Sequence, residues 1–129
     1  MGDRPSSPLS PHLQVYRLPL TPLLSITHRI TGVVLSIGLL AVVGMLLAVA
    51  ESPSAYEAIR GFLSGWIGRG LILIWLLALF VHFCHGVRHL IWDLGYGFER
   101  SDLTRHGVWE VAAAVALAFL TWLTMSFVP

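Results

Sequence analysis

Three long, predominantly apolar stretches constrain this chain more than any other feature of its sequence. They cover residues 30–50, 70–92 and 108–128. An α-helix rises about 1.5 Å per residue, so each stretch is long enough to cross the roughly 30 Å hydrocarbon core of a bilayer. Because lipid offers backbone groups no hydrogen-bonding partners, each stretch must cross as a helix. The sequence therefore predicts an all-α membrane protein with three transmembrane helices, belonging to a larger helical bundle.

The composition argues against a soluble fold of this length. Of the 129 residues, 56% are hydrophobic and only 12% are charged, which is about half the charged share of soluble domains. A soluble domain this short could not hide so much apolar surface from water. The formal net charge is +1 and the sequence has no basic run, so nucleic acid is not an expected partner. The main partner predicted by composition is the lipid membrane.

We expect a single membrane-anchor domain over residues 1–129, with transmembrane helices at about residues 25–50, 68–93 and 107–128. The connecting segment 56–66 is expected to lie at the membrane interface, because it begins and ends with aromatic residues. The single cysteine, Cys84, excludes an internal disulfide framework and a CxxC metal site.

Arginine residues predict the orientation in the membrane. Most of them lie on the side of the N-terminus: Arg4, Arg17, Arg29, Arg88, Arg100 and Arg105. The opposite loop holds only Arg60 and Arg69. Because positive loops stay on the inner side, we expect the N-terminus in the cytoplasm or the mitochondrial matrix.

The middle stretch contains histidines at membrane depth. Ionisable residues there are rare and usually face a cavity, a cofactor or a partner. His82 and His89 are seven residues apart and share one helix face, with Gly86 between them. Because Gly86 has no side chain, a flat macrocycle could approach the helix beside His82. His82 lies about 16 Å from the inner helix end at Asp93, near mid-membrane, and is a candidate haem ligand.

The same rise per residue predicts the depth of the other candidates. If the first helix begins near Ser25, His28 is about one turn inside and roughly 10 Å too shallow to face an iron at His82. His89 projects from the same side of the same helix as His82. The opposite iron ligand is therefore expected from another chain. The side chains placed to meet haem propionates at the inner edge are His28, Arg29, Arg88 and His89.

Ser25 and Arg29 form a second candidate site at the start of the first helix. They are four residues apart and so lie on one face. A hydroxyl donor beside a fixed cation suits a quinone carbonyl, which gains negative charge as it is reduced. The residues alone also allow another interpretation, in which Arg29 reaches lipid phosphates and Ser25 caps the helix.

Three motifs together resemble a known family. The first is Arg4, Pro5, Ser10, Pro11, His12, Leu13 and Tyr16; the second is Ser25, Ile26, His28, Arg29, Thr31 and Gly32; the third is His82, Gly86, Arg88, His89 and Asp93. In this order and spacing they resemble the cytochrome b556 subunit of succinate dehydrogenase, the larger membrane anchor of respiratory complex II. The resemblance covers nearly the whole chain.

The resemblance implies that His82 is an axial ligand of haem b, with the other axial histidine on a second anchor subunit. It implies that Ser25 and Arg29 line a ubiquinone pocket beside the iron–sulfur subunit. It places His28 close to the haem propionates, where Arg88 and His89 would join it. His85 has no role in the family pattern beyond packing or a hydrogen bond.

The family's complex oxidises succinate at a flavoprotein subunit and passes electrons through iron–sulfur clusters to quinone. The chain would then be a subunit of an enzyme in a bacterial or mitochondrial inner membrane, without activity alone. Two alternatives stay open at this point. One is a fumarate reductase-type anchor, and the other is a haem-free transport or assembly protein that uses its histidines as a proton relay.

Overall fold

The computed structural model describes residues 17–127, and this part of the chain folds into four helices without any strand. In chain order the helices are α1 (Leu20–Glu51), α2 (Pro53–Ser64), α3 (Trp66–Asp93) and α4 (Arg100–Ser126). The first of the three sequence motifs, between Arg4 and Tyr16, lies outside the described residues.

Helices α1, α3 and α4 are long and apolar enough to cross a membrane. The predicted all-helical fold with three membrane-crossing helices is therefore confirmed. The first helix begins at Leu20, five residues before the start near Ser25 that we expected. Pro22 does not delay the helix, because its missing N–H falls in the first turn, where backbone N–H groups have no helical partner.

The short helix α2 fills the connection between the first two long helices. The chain changes direction between α1 and α2 at Ser52, which has an extended backbone. Pro53 occupies the first position of α2, where proline is favoured. The junction between α2 and α3 is tight: a Cβ on Gly68 would lie 2.3 Å from the carbonyl oxygen of Phe62. Only glycine fits at this contact.

The end of α3 is defined by a hydrogen-bonded turn. Gly95 adopts a positive φ of 86°. Its N–H donates to the Trp92 carbonyl at 2.8 Å, and the Tyr96 N–H donates to the Ile91 carbonyl at 3.3 Å. These two bonds form a Schellman motif, which satisfies carbonyls that the helix end would otherwise leave unpaired. Gly95, which tolerates a positive φ, therefore ends α3.

Helix α3 packs against both α1 and α4. Two alanines of α4, Ala114 and Ala118, are completely buried, and such small residues let membrane helices approach closely. Polar residues share this thin core: Thr31, His85, Arg88 and Glu110 are buried. Most large apolar side chains instead cover the outside of the bundle, where lipid or other subunits would contact them.

Candidate functional site

The His28 ring of α1 lies against three histidines of α3, and we call His28, His82, His85 and His89 the histidine cluster. The His28 ring stacks on the His82 ring, with centroids 4.0 Å apart and planes 17° apart. The centroid of His28 also lies 4.8 Å from that of His85 and 5.8 Å from that of His89. In His28, His85 and His89, ring nitrogens lie within 4.8 Å of one another, close enough to hold a metal ion.

The contact between His28 and His82 shows that the predicted depth of His28 was wrong. Because α1 begins at Leu20, His28 lies about 12 Å into the helix, two turns rather than one. Its ring therefore reaches the level of His82. Depth alone therefore does not exclude His28 from the surroundings of an iron at His82. An iron ligand from another chain is then implied by the family resemblance and not by depth.

The half-buried His82 is oriented by the backbone of α1. Its Nδ1 lies 3.1 Å from the His28 carbonyl oxygen and 3.4 Å from Thr31 Oγ1. A carbonyl oxygen only accepts hydrogen bonds, so Nδ1 carries the proton when this bond forms. The lone pair is then on Nε2, which has no hydrogen-bond partner among residues 17–127. A carbonyl behind one ring nitrogen is a common way to orient a metal-binding histidine.

Two glycines shape the space around His82. Gly32 lets α1 approach the ring, since a Cβ there would lie 3.1 Å from His82 Cε1. Gly86 is different, because a Cβ at this position would meet no atom within 4 Å. The helix surface beside Gly86, one turn after His82, is therefore open.

On the other side of α3, His85 and Arg88 are joined to Glu110 of α4. His85 is 1% exposed, and its Nδ1 lies 2.7 Å from Glu110 Oε1. Arg88 Nη1 donates to Glu110 Oε2 at 3.1 Å, and Arg88 Nη2 donates to the Leu103 carbonyl at 2.6 Å. Because an unpaired buried charge is very costly, each charged partner stabilises the other here. The guanidinium predicted to meet haem propionates thus points to α4.

Ser25 and Arg29 lie one turn apart on α1. Ser25 is half-buried and Arg29 is exposed. Neither side chain makes a hydrogen bond or ion pair with another residue in the described part of the chain. Both are therefore available to a ligand or to another subunit.

Glu110 is the site residue that the sequence analysis missed. A carboxylate in the third apolar stretch is the same kind of signal as a histidine in the second, since both are ionisable groups at membrane depth. That signal could have identified Glu110 as important. Its partners could not be named in advance, because they lie 22 and 25 residues away on a neighbouring helix.

Comparisons with known proteins agree with the sequence motifs. Residues 3–122 match the family described as Succinate dehydrogenase/Fumarate reductase transmembrane subunit. The succinate dehydrogenase cytochrome b556 subunit of Paracoccus denitrificans is 40% identical, covering 92% of each chain. That of Rickettsia felis is 34% identical over 89% of this chain and 90% of the relative.

A third relative is the succinate dehydrogenase cytochrome b560 subunit of Reclinomonas americana. It is 36% identical over 90% of this chain and 84% of the relative. The resemblance inferred from the motifs is confirmed, because these matches span almost the whole chain. The chain belongs to the succinate dehydrogenase/fumarate reductase transmembrane subunit family.

Proposed function

We propose that this chain is a membrane anchor of succinate dehydrogenase that binds haem b together with a second anchor subunit and forms part of the ubiquinone-reducing site. Family membership and three helices long enough to cross a membrane support the role of an inner-membrane anchor. The observation that carries the haem proposal is the orientation of His82, whose Nδ1 is held by the His28 carbonyl. Its Nε2 is left as a ligand atom.

The residues around His82 fit a haem group in three respects. An imidazole nitrogen with its lone pair is available at His82. The open surface beside Gly86 can accept a flat macrocycle. In addition, the buried Nε2 atoms of His28 and His85 have no hydrogen-bond partner among the described residues. Buried polar atoms are nearly always paired, so a polar group bound at this level would satisfy them.

In this proposal His82 would hold the iron through Nε2, and the His28 carbonyl keeps the ring in its orientation. His28 and His89 would interact with the haem propionates. Arg88 adds positive charge from the α4 side of the histidine cluster, where it is paired with Glu110. Haem b supplies an iron that carries one electron at a time. A histidine of the other anchor subunit would complete the haem site.

Ser25 and Arg29 are assigned to ubiquinone. The Ser25 hydroxyl donates a hydrogen bond to a quinone carbonyl oxygen, and the Arg29 guanidinium stabilises the negative charge that this oxygen gains during reduction. Electrons reach the quinone from the iron–sulfur subunit, and the flavoprotein subunit oxidises succinate. The chain itself positions groups and supplies charge, while the redox chemistry belongs to the cofactors.

The test is a reduced-minus-oxidised absorption spectrum of the purified complex. His82→Ala should remove the b-type band. Ser25→Ala should keep the band, since its side chain makes no hydrogen bond to the histidine cluster among residues 17–127, and it serves as the matched control. An unchanged band in His82→Ala would assign the axial ligand elsewhere. A wild-type complex without any band would instead favour a haem-free proton relay.

A further inference from the structure

Glu110 is the only buried carboxylate in the described part of the chain. It is 8% exposed and lies in a helix long and apolar enough to cross a membrane. None of the roles assigned above to haem or ubiquinone requires it. Since a buried carboxylate at membrane depth is costly, such residues are usually functional.

The bonds of Glu110 determine which nitrogen of His85 carries a proton. Arg88 is always charged, and it forms an ion pair with the Glu110 carboxylate at 3.1 Å. An ionised carboxylate only accepts hydrogen bonds, so His85 Nδ1 must donate in the 2.7 Å contact with Oε1. The lone pair of neutral His85 is therefore on Nε2.

This lone pair lies at the histidine cluster. The His85 ring centroid is 4.8 Å from that of His28 and 4.9 Å from that of His89. His85 Nε2 is buried without a partner, and so is His28 Nε2. Without Glu110, His85 could place its proton on either nitrogen. With Glu110, the cluster receives a hydrogen-bond acceptor at a defined position.

We propose that Glu110 is a positioning residue of the haem site that acts through His85. Glu110 holds His85 through Nδ1, and the His85 ring lies against the rings of His28 and His89, the residues assigned to the propionates. The carboxylate thereby orients the propionate-facing side chains from a third helix. This inference rests on the proposed haem site.

The measurement is the midpoint potential of the haem in the purified complex, together with haem content. Glu110→Gln keeps the size of the side chain and removes its negative charge. We expect full haem content and a higher potential, because His85 Nε2 would no longer present its lone pair to the cluster at a fixed position, and losing this partial negative charge favours the added electron. Glu110→Asp, which keeps the charge, should give a smaller shift. Glu57→Gln, an exposed carboxylate of α2, is the matched control and should give none.

A double-mutant cycle tests the path through His85. The shift caused by Glu110→Gln should largely disappear in a His85→Phe background, since phenylalanine has no ring nitrogen to orient. A complex with full haem content and wild-type potential in Glu110→Gln would overturn the proposal. An equal shift with and without His85 would also overturn it, because Glu110 would then act through charge alone.

If Glu110→Gln does not assemble, Glu110→Asp is compared in the same two backgrounds. A shift should be present with His85 and absent without it, and any other result contradicts the proposal. Failure of the haem proposal itself is a separate result, because it appears as an unchanged band in His82→Ala or a missing band in wild type.

Discussion

The two faces of α3 hold ionisable side chains in different ways. Towards α1, His82 is bonded through Nδ1 to a backbone carbonyl, and its Nε2 has no partner among residues 17–127. Towards α4, His85 and Arg88 both bond Glu110. The α1 face thus leaves a ligand atom unused, whereas the α4 face pairs its charges within the chain. The contrast separates a binding face from a supporting face on one helix.

The same contrast is visible in the space around α3. Ala114 and Ala118 of α4 are fully buried, so this side is closely packed. Beside Gly86 the helix surface is open. An open surface next to an unused imidazole nitrogen is what a flat, metal-containing ligand requires, whereas the charges of Arg88 and Glu110 already pair with each other.

The largest expected effect comes from filling the open surface. Gly86→Leu should abolish the b-type absorption band of the purified complex, because the new side chain would occupy the space proposed for the macrocycle. Gly44→Leu is the matched control, since a Cβ at Gly44 also meets no atom within 4 Å. It should keep the band. A normal band in Gly86→Leu would mean that the binding face lies elsewhere.

Breaking the ion pair between Arg88 and Glu110 should mainly lower the stability of the complex. Glu110→Leu leaves the Arg88 charge buried and unpaired, which typically costs about 3–5 kcal/mol. Thermal unfolding of the complex in detergent measures this loss. The double variant Glu110→Leu/Arg88→Leu leaves neither partner of the ion pair, so it should recover most of the lost stability. Equal stability of the single variant and wild type would show that the ion pair is not structural.

Removing Arg29 should slow quinone reduction and leave the haem site intact. Loss of one group that stabilises developing negative charge typically lowers the rate about 10²- to 10³-fold. Arg29→Ala is therefore expected to keep the absorption band while ubiquinone reduction by succinate falls. Arg17→Ala, also an exposed arginine near the start of α1, should change the rate little. Loss of the band in Arg29→Ala would move Arg29 to the haem site.

The smallest effect is expected at Thr31. Its hydroxyl lies 3.4 Å from His82 Nδ1 and donates to the His28 carbonyl at 2.9 Å. Thr31→Val keeps the shape but loses these interactions, at a cost of about 1 kcal/mol. Haem retention during purification should fall slightly, and Ser36→Ala on the same helix, whose hydroxyl bonds the Gly32 carbonyl, should leave it unchanged. A complete loss of haem would show that Thr31 contributes far more than a supporting hydrogen bond.

Much of the fold and part of the candidate site could be predicted from local sequence. The length of the apolar stretches predicts membrane-crossing helices, and Gly95 predicts the end of α3 through its tolerance of positive φ. Helical spacing correctly places His82 and His89 where both contact α1, through His28. The start of α1 was predicted too late, because a proline near a helix start can belong to its first turn.

The sequence by itself determined properties that depend on single segments: the number of long apolar helices, the family motifs and the shared face of the histidines on α3. Tertiary structure decided which side chains meet across helices. His28 contacts His82 from 54 residues away, and Glu110 bonds His85 from 25 residues away. Such pairings depend on the rotation and vertical offset of one helix against another, which are decided by side-chain packing between helices. A repeat within one helix carries no information about that offset, so only the folded bundle identifies Glu110 as the partner of His85 and Arg88.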